Sequence, residues 1–302
     1  MKLFRRILVC IGRPEPDARM LEQVAAVSRL AGSLEVHLLH VSSEEDELVH
    51  PSHRVVRETL EGFAKQYLGE PANLQIRCEI VPGEPLVEIV RYMHEKMVDL
   101  LVIGGRASGH ESILARRVTR RSTCSVLVLP ENTPLKLEHI LVPVRDSKCS
   151  ARALETACTI ATATQSRVTC LNIFRVHSDY SPVGASLEEQ TQRLGQLADL
   201  ETESLLRKVD TGSAQVTSRS LPAPYGKQLD LLLDTAKKES ADLFVIGARG
   251  RTGAAGVLLG HLTDDLIRES TIPVLAVRRK GECVNLVKAL LVFTAQDFDQ
   301  DS

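Results

Sequence analysis

The sequence has no tryptophan, and aromatic residues make up only 3% of it. Valine, leucine, isoleucine and alanine therefore have to do the packing. That bias suits parallel sheets covered on both faces, whose strands read as continuous aliphatic runs. Charge excess is also lacking: 37 basic and 39 acidic residues leave a formal net charge of −2. Such a balance does not supply the basic field that a nucleic-acid or acidic-membrane partner requires. The seven cysteines (Cys10, Cys78, Cys124, Cys149, Cys158, Cys170 and Cys283) form no Cys-x-x-Cys pair and sit mostly in apolar patterns. Reduced, buried thiols and a cytoplasmic location are the expectation. No run approaches the ~18 apolar residues of a membrane span. The apolar stretch after the basic start, Ile7 to Ile11, stops at Gly12-Arg13-Pro14, short of the ~7–15 residues of a signal-peptide core. The chain reads as soluble and unprocessed.

Catalytic signatures are missing as well. There is no Gly-x-Ser-x-Gly nucleophile turn, no Gly-x-x-x-x-Gly-Lys-Ser/Thr phosphate loop, and no Gly-x-Gly-x-x-Gly after the first strand. Ser147 and Ser150 are placed to cap a helix rather than to act as nucleophiles. His50 and His53, beside the acidic run Glu44 to Glu47, lack a metal-binding spacing and read as an acidic surface loop. His37 and His40, in a strand pattern, read as structural.

What is present is a repeat. Arg6-Ile7-Leu8-Val9 returns as His139-Ile140-Leu141-Val142, Asp99-Leu100-Leu101-Val102-Ile103-Gly104 as Asp242-Leu243-Phe244-Val245-Ile246-Gly247, and Val126-Leu127-Val128 as Val274-Leu275-Ala276. Within each copy, β-branched runs alternate with longer amphipathic stretches. Strands are expected over Ile7–Cys10, Glu35–Val41, Gln75–Val81, Leu100–Ile103 and Val126–Leu129, and in the second copy from near Ile140, Val168, Val216, Leu243 and Val274. Helices are expected between them, including Asp17–Ala31, His53–Leu68, Pro85–Met97 and Leu114–Arg121. This alternation implies right-handed βαβ crossovers. The fold class is α/β: two tandem, open, mostly parallel five-stranded domains of Rossmann-like type. The divisions fall at residues 1–133, 134–280 and a C-terminal extension 281–302, with Glu131-Asn132-Thr133-Pro134 as linker.

The copies diverge after the fourth strand, where the second has the longer loop, from Gly247 to Gly260. The loop follows a buried strand near the edge where open α/β sheets bind ligands. Its glycines allow close backbone approach, the helix start at Gly260 offers free N–H groups to an anion, and Arg249 and Arg251 could add charge-assisted contacts.

Gly247-x-x-Gly250, followed by Gly260, resembles the Gly-2x-Gly-9x-Gly-(Ser/Thr) ATP motif of the universal stress protein family. The likeness extends to the Ile-Leu-Val opening strands, the Gly83-Glu84-Pro85 turn, the Asp-Leu-x-Val-Ile-Gly strands and the closing Ile272-Pro273-Val274-Leu275. This resemblance implies that the second half binds ATP or another adenine nucleotide, with Mg2+ as its companion. Pro143 and Val144 match the family's first-strand end, Ile173 its contact to the base, and Ile246, Gly247, Gly250 and Gly260 its phosphate loop. Arg145 replaces the acidic residue, with Asp146 one place later, and His261, followed by Leu262, replaces the hydroxyl residue.

The first half departs further: Gly12 stands at the acidic position, Ala107 replaces the second glycine and Ser112 the third. It reads as a degenerate, non-binding copy, and Arg116, Arg117, Arg120 and Arg121 read as a solvated helix face. The strands Val126–Leu129 and Val274–Val277 are aliphatic edges that need pairing. The resemblance implies that they pair with each other inside one chain, with a homodimer of chains as a further option. The leading function is a stress-response regulator responsive to adenine nucleotide, with at most slow hydrolysis. The alternatives are a scaffold that acts through an unidentified protein partner without nucleotide and, last, an enzyme acting on an activated nucleotide or thiol.

Overall fold

The computed structural model describes residues 3–13, 18–42, 53–69, 73–105, 110–131, 133–176, 186–248 and 261–278. In the first half these form β1 (Arg6–Ile11), α1 (Ala18–Ala31), β2 (Glu35–Ser42), α2 (His53–Leu68), β3 (Gln75–Pro82), α3 (Pro85–Glu95), β4 (Leu100–Gly105), α4 (His110–Arg121) and β5 (Ser125–Pro130). The second half repeats the order: β6 (His139–Pro143), α5 (Lys148–Thr164), β7 (Arg167–Val176), α6 (Leu187–Lys208), β8 (Gln215–Pro224), α7 (Gln228–Lys238), β9 (Leu243–Gly247), α8 (His261–Glu269) and β10 (Val274–Val277).

Local chemistry sets several of these boundaries. Glu84 caps α3 by accepting the Val87 N–H at 2.8 Å, and Pro85 supplies the first turn, where its missing N–H costs nothing. Ser147 caps α5 by accepting from Ser150 N, as the sequence implies. Ser186 and Glu189 form a reciprocal capping box at the start of α6. The repeated aspartate before the fourth strand of each half has a structural reason. Asp99 Oδ2 accepts the N–H groups of Arg5 and Arg6, both at 3.0 Å. Asp242 Oδ2 accepts those of Glu138 and His139 at 2.8 and 3.2 Å. Each carboxylate thus ties the start of its half's first strand to the start of its fourth.

The two five-stranded units form one ten-stranded sheet, ordered β3-β2-β1-β4-β5-β10-β9-β6-β7-β8. Every pairing is parallel except that of β5 with β10, which is antiparallel with Val128↔Val274, Leu127↔Leu275 and Val126↔Ala276 in register. The two aliphatic edges therefore cover each other within the chain. Leu127 and Leu275 are repeat-equivalent residues and face each other, which puts a pseudo-twofold axis between them.

Side chains alternate along each strand, so the sheet feeds two cores. Ile7, Val9, Leu38, Ile140 and Val142 pack under α1, α2, α5 and α6. Leu8, Leu39, Leu101, Leu141 and Phe244 pack under α3, α4, α7 and α8. Both cores run across the two halves. The buried histidines serve this frame: His37 Nδ1 lies 2.8 Å from the Tyr92 hydroxyl, and His40 Nδ1 lies 2.9 Å from Ile11 O. Of the described cysteines, Cys10, Cys124, Cys158 and Cys170 are buried, Cys78 and Cys149 half-buried, and all six are free thiols.

Candidate functional site

In each half the chain runs outward from the first strand in both directions, so the crevice at the C-terminal ends of β1 and β4, and of β6 and β9, is a topological switch point. Open α/β sheets take ligands there. In the second half, β6 and β9 pair at Ile140↔Leu243 and Leu141↔Phe244. Pro143 and Ile246 lie beyond those pairs, near the C-terminal ends of β6 and β9, and both are buried. Val144 continues the strand direction, donating its N–H to Leu171 O at 2.9 Å, and is buried. Ile173, near the end of β7, is also buried.

Arg145 turns back across this edge. Its backbone N–H is held by Ser150 Oγ at 3.1 Å, and its Nη2 reaches Ile173 O at 3.5 Å. The guanidinium thus bridges the ends of β6 and β7, beside the residue expected to contact a base. The Asp146 carboxylate pairs with Lys208 Nζ on α6 at 3.1 Å, at the surface. The sequence places Arg145 and Asp146 together, whereas the fold turns their side chains to different partners.

Gly247 has a structural demand of its own. A Cβ there would come within 2.4 Å of Cys149 O and 2.8 Å of Cys149 Cβ, because the first turn of α5 packs directly on the end of β9. Its N-terminal neighbour Ile246 is buried in the core below. His261 is exposed at the start of α8, and Leu262 is half-buried against the core under that helix. Arg249, Gly250, Arg251 and Gly260 lie outside the described residues, as does Cys283. The structure therefore brings Pro143, Val144, Arg145, Ile173, Ile246 and Gly247 to one edge of the sheet.

Two features escaped the sequence. The four arginines of α4 are not one solvated face. Arg116 Nη2 and Arg120 Nη2 both bond Asp264 Oδ2, the second at 2.8 Å, and Arg120 Nε reaches Oδ1 at 3.1 Å. Asp264 is only 6% exposed. Burial acts to raise its pKa, but the hydrogen bonds and charges of Arg116 and Arg120 outweigh it and hold the carboxyl below its usual range. The other feature is a cleft of about 510 Å3 at the switch point of the first half, reached by Arg117. Arg117 aligns with Asp265 when the α4–β5 and α8–β10 segments are superposed in sequence, a comparison that could have flagged it.

Fold and site together define a tandem α/β protein with a ligand-type edge in each half, the halves joined by an antiparallel seam. The sequence model of the universal stress protein family matches residues 3–130 and again 136–278. The chain belongs to that family. A universal stress protein of Mycolicibacterium smegmatis is 26% identical over 224 residues, 70% of this chain and 71% of the relative. One from Methanocaldococcus jannaschii is 28% identical over 147 residues, 47% of this chain and 82% of the relative. Among solved structures, a universal stress protein from Archaeoglobus fulgidus superposes with a TM-score of 0.61 at 19% identity, covering 93% of this chain and 98% of that one. A functionally unknown protein from Pseudomonas aeruginosa superposes with a TM-score of 0.68 at 16% identity, covering 96% and 98%. These structural likenesses concern the fold.

Proposed function

We propose that this chain is a cytoplasmic stress-response regulator that binds an adenine nucleotide in its second half. The observation that carries the reading is the spacing Gly247-x-x-Gly250 to Gly260, starting at the last residue of β9 and ending where α8 begins. Backbone N–H groups at a helix start and glycines that admit a phosphate closely are the parts such a site needs. Pro143, Val144 and Ile173 give an apolar edge for the adenosine. Arg145, Arg249 and Arg251 supply cations for the phosphates, with Mg2+ as counter-ion, and His261 and Leu262 close the site. Arg145 has to leave Ile173 O for a base to settle on Ile173. In this reading nucleotide occupancy acts by biasing shape or partner choice, with hydrolysis slow at most. Free thiols at all six described cysteines support a reducing compartment.

The second reading, a scaffold acting through protein contacts without nucleotide, is favoured by one observation. Arg145 Nη2 lies 3.5 Å from Ile173 O beside Asp146, whose carboxylate pairs with Lys208 at the surface. Calorimetry on nucleotide-stripped protein with ATP and Mg2+ separates the two. One site per chain, lost in Gly250→Asp, supports the regulator. No heat at millimolar ATP, with a protein partner captured equally with and without ATP, supports the scaffold.

A further inference from the structure

The first-half cleft lies at the ends of β1, β2, β4 and β5, beside α1, α3 and α4, and its volume of about 510 Å3 falls in the ~300–1,000 Å3 range of small-molecule sites. Much of its lining is apolar, from Met20, Leu39, Ile89, Ile103, Ile113 and Leu114, with the amide of Gln23 as a polar exception: its Oε1 is buried without a partner among the described residues. Ile113 is 48% exposed at the lip, an apolar surface presented to solvent where a ligand body would cover it. The Cys10 thiol adds no charge, since burial and the nearby Cys124 push its pKa well up. No side-chain carboxylate stands at the position of Gly12, whose surroundings are open.

Five charged side chains line the cleft among the described residues. They are Arg13, Arg19 and Arg117, with Glu84 and Glu131, three cations and two anions among the described residues. The Glu84 carboxylate is engaged in capping α3. Arg117 has no ion-pair partner among the described residues, while its neighbours Arg116 and Arg120 are spent on Asp264. The aligned residue of the second half, Asp265, is anionic and pairs with Arg268 at 3.3 Å. The two switch points therefore carry opposite charge at this helix position, and they are not two copies of one site.

We infer that the first-half cleft is a separate binding site for an amphipathic monoanion, an aliphatic or aromatic body lying on Leu39, Ile89 and Ile103 with its carboxylate or phosphate head at Arg117 and Arg13. The body removes Ile113 and the cleft floor from water, and the guanidinium fork of Arg117 takes the head group's oxygens. A hydrocarbon body suits the apolar floor of Leu39, Ile89 and Ile103.

The test is calorimetry on the full chain with monomeric decanoate, decyl phosphate, decanol and AMP. Two variants report on the cleft. A Cβ on Gly104 meets nothing within 4 Å, so Gly104→Leu fills the cleft without a clash at the backbone. Arg117→Glu reverses the charge at an exposed position. The inference expects one decanoate or decyl phosphate per chain, lost in Gly104→Leu and weakened at least ~10-fold both in Arg117→Glu and on replacing the head by the hydroxyl of decanol. Binding indifferent to both variants, decanol equal to decanoate, no binding by either anion, or displacement of decanoate by AMP each overturns it. Gly250→Asp lies in the other half, so it leaves decanoate binding unchanged whatever becomes of ATP.

Discussion

Arg116 and Asp264 occupy equivalent positions in the two repeats and meet each other across the pseudo-twofold axis, Arg116 Nε lying 3.2 Å from Asp264 Oδ2. The axis runs between Leu127 and Leu275, so helix α4 of one half faces α8 of the other. Two copies of the same half joined through this seam would bring like charges together there. The internal pairing brings opposite ones, and Arg120 adds a second cation to the same carboxylate. Complementary charge at a self-facing position selects the unlike partner. Arg278 extends the seam, its Nη2 donating to Thr119 O at 2.9 Å and its backbone N–H to Ser125 Oγ at 3.2 Å.

Replacing this carboxylate tests the seam. Asp264→Asn should lower unfolding stability by about 1–3 kcal/mol, the scale of charge-assisted hydrogen bonds, as read by urea melts at neutral pH. The folded-state pKa is depressed, so the carboxylate's contribution is present above the unfolded value of about 3.9 and is lost as pH falls through the folded one. The gap between parent and variant should therefore close in strong acid. Equal melts at neutral pH would remove the pair from any account of the seam.

Gly247 separates packing from ligand binding. Its added methyl group would collide with Cys149 O and Cβ, so Gly247→Ala should cost about 1–3 kcal/mol, the range for overpacking. Thermal melts without nucleotide should already show the loss. A variant as stable as the parent but unable to bind ATP would mean that the position serves the ligand alone.

His37 gives the fold a mild acid sensitivity. Burial is the main cause that lowers its pKa, against the raising effect of Glu35, whose carboxylate lies 3.2 Å from Nε2. The unfolded chain then binds the proton more readily than the folded one. The contribution of the neutral ring is complete above about pH 6.5, the ordinary histidine value, and declines as pH falls below it. Denaturant midpoints between pH 7.5 and 5.5 should fall more steeply for the parent than for His37→Gln. The variant should start from a lower midpoint, because the contact with the Tyr92 hydroxyl is altered.

The sheet and its helices were legible in the sequence because aliphatic runs and amphipathic stretches report local periodicity. Strands such as Leu100–Gly105 and Leu243–Gly247 fall where the repeated Asp-Leu-x-Val-Ile-Gly run places them. Side-chain direction was not legible. Asp146 looks like a displaced copy of the family's acidic residue, yet it pairs with Lys208, 62 residues further on. The arginines of α4 look like one exposed face, and only the antiparallel register of β5 and β10 divides them between Asp264 and the cleft. Gly247 reads as a phosphate glycine, but the approach of Cys149 depends on how α5 crosses β9, which no local pattern encodes.

The central claim is that nucleotide binds at the switch point of the second half. Hydrogen–deuterium exchange with and without ATP and Mg2+ tests it most directly, because it locates the site as well as detecting it. The account predicts slowed exchange in peptides covering 143–150, 171–176 and 246–263, and no change in those covering 10–13 and 103–117. Protection confined to the first half, or absent from both halves at millimolar ATP, would contradict it.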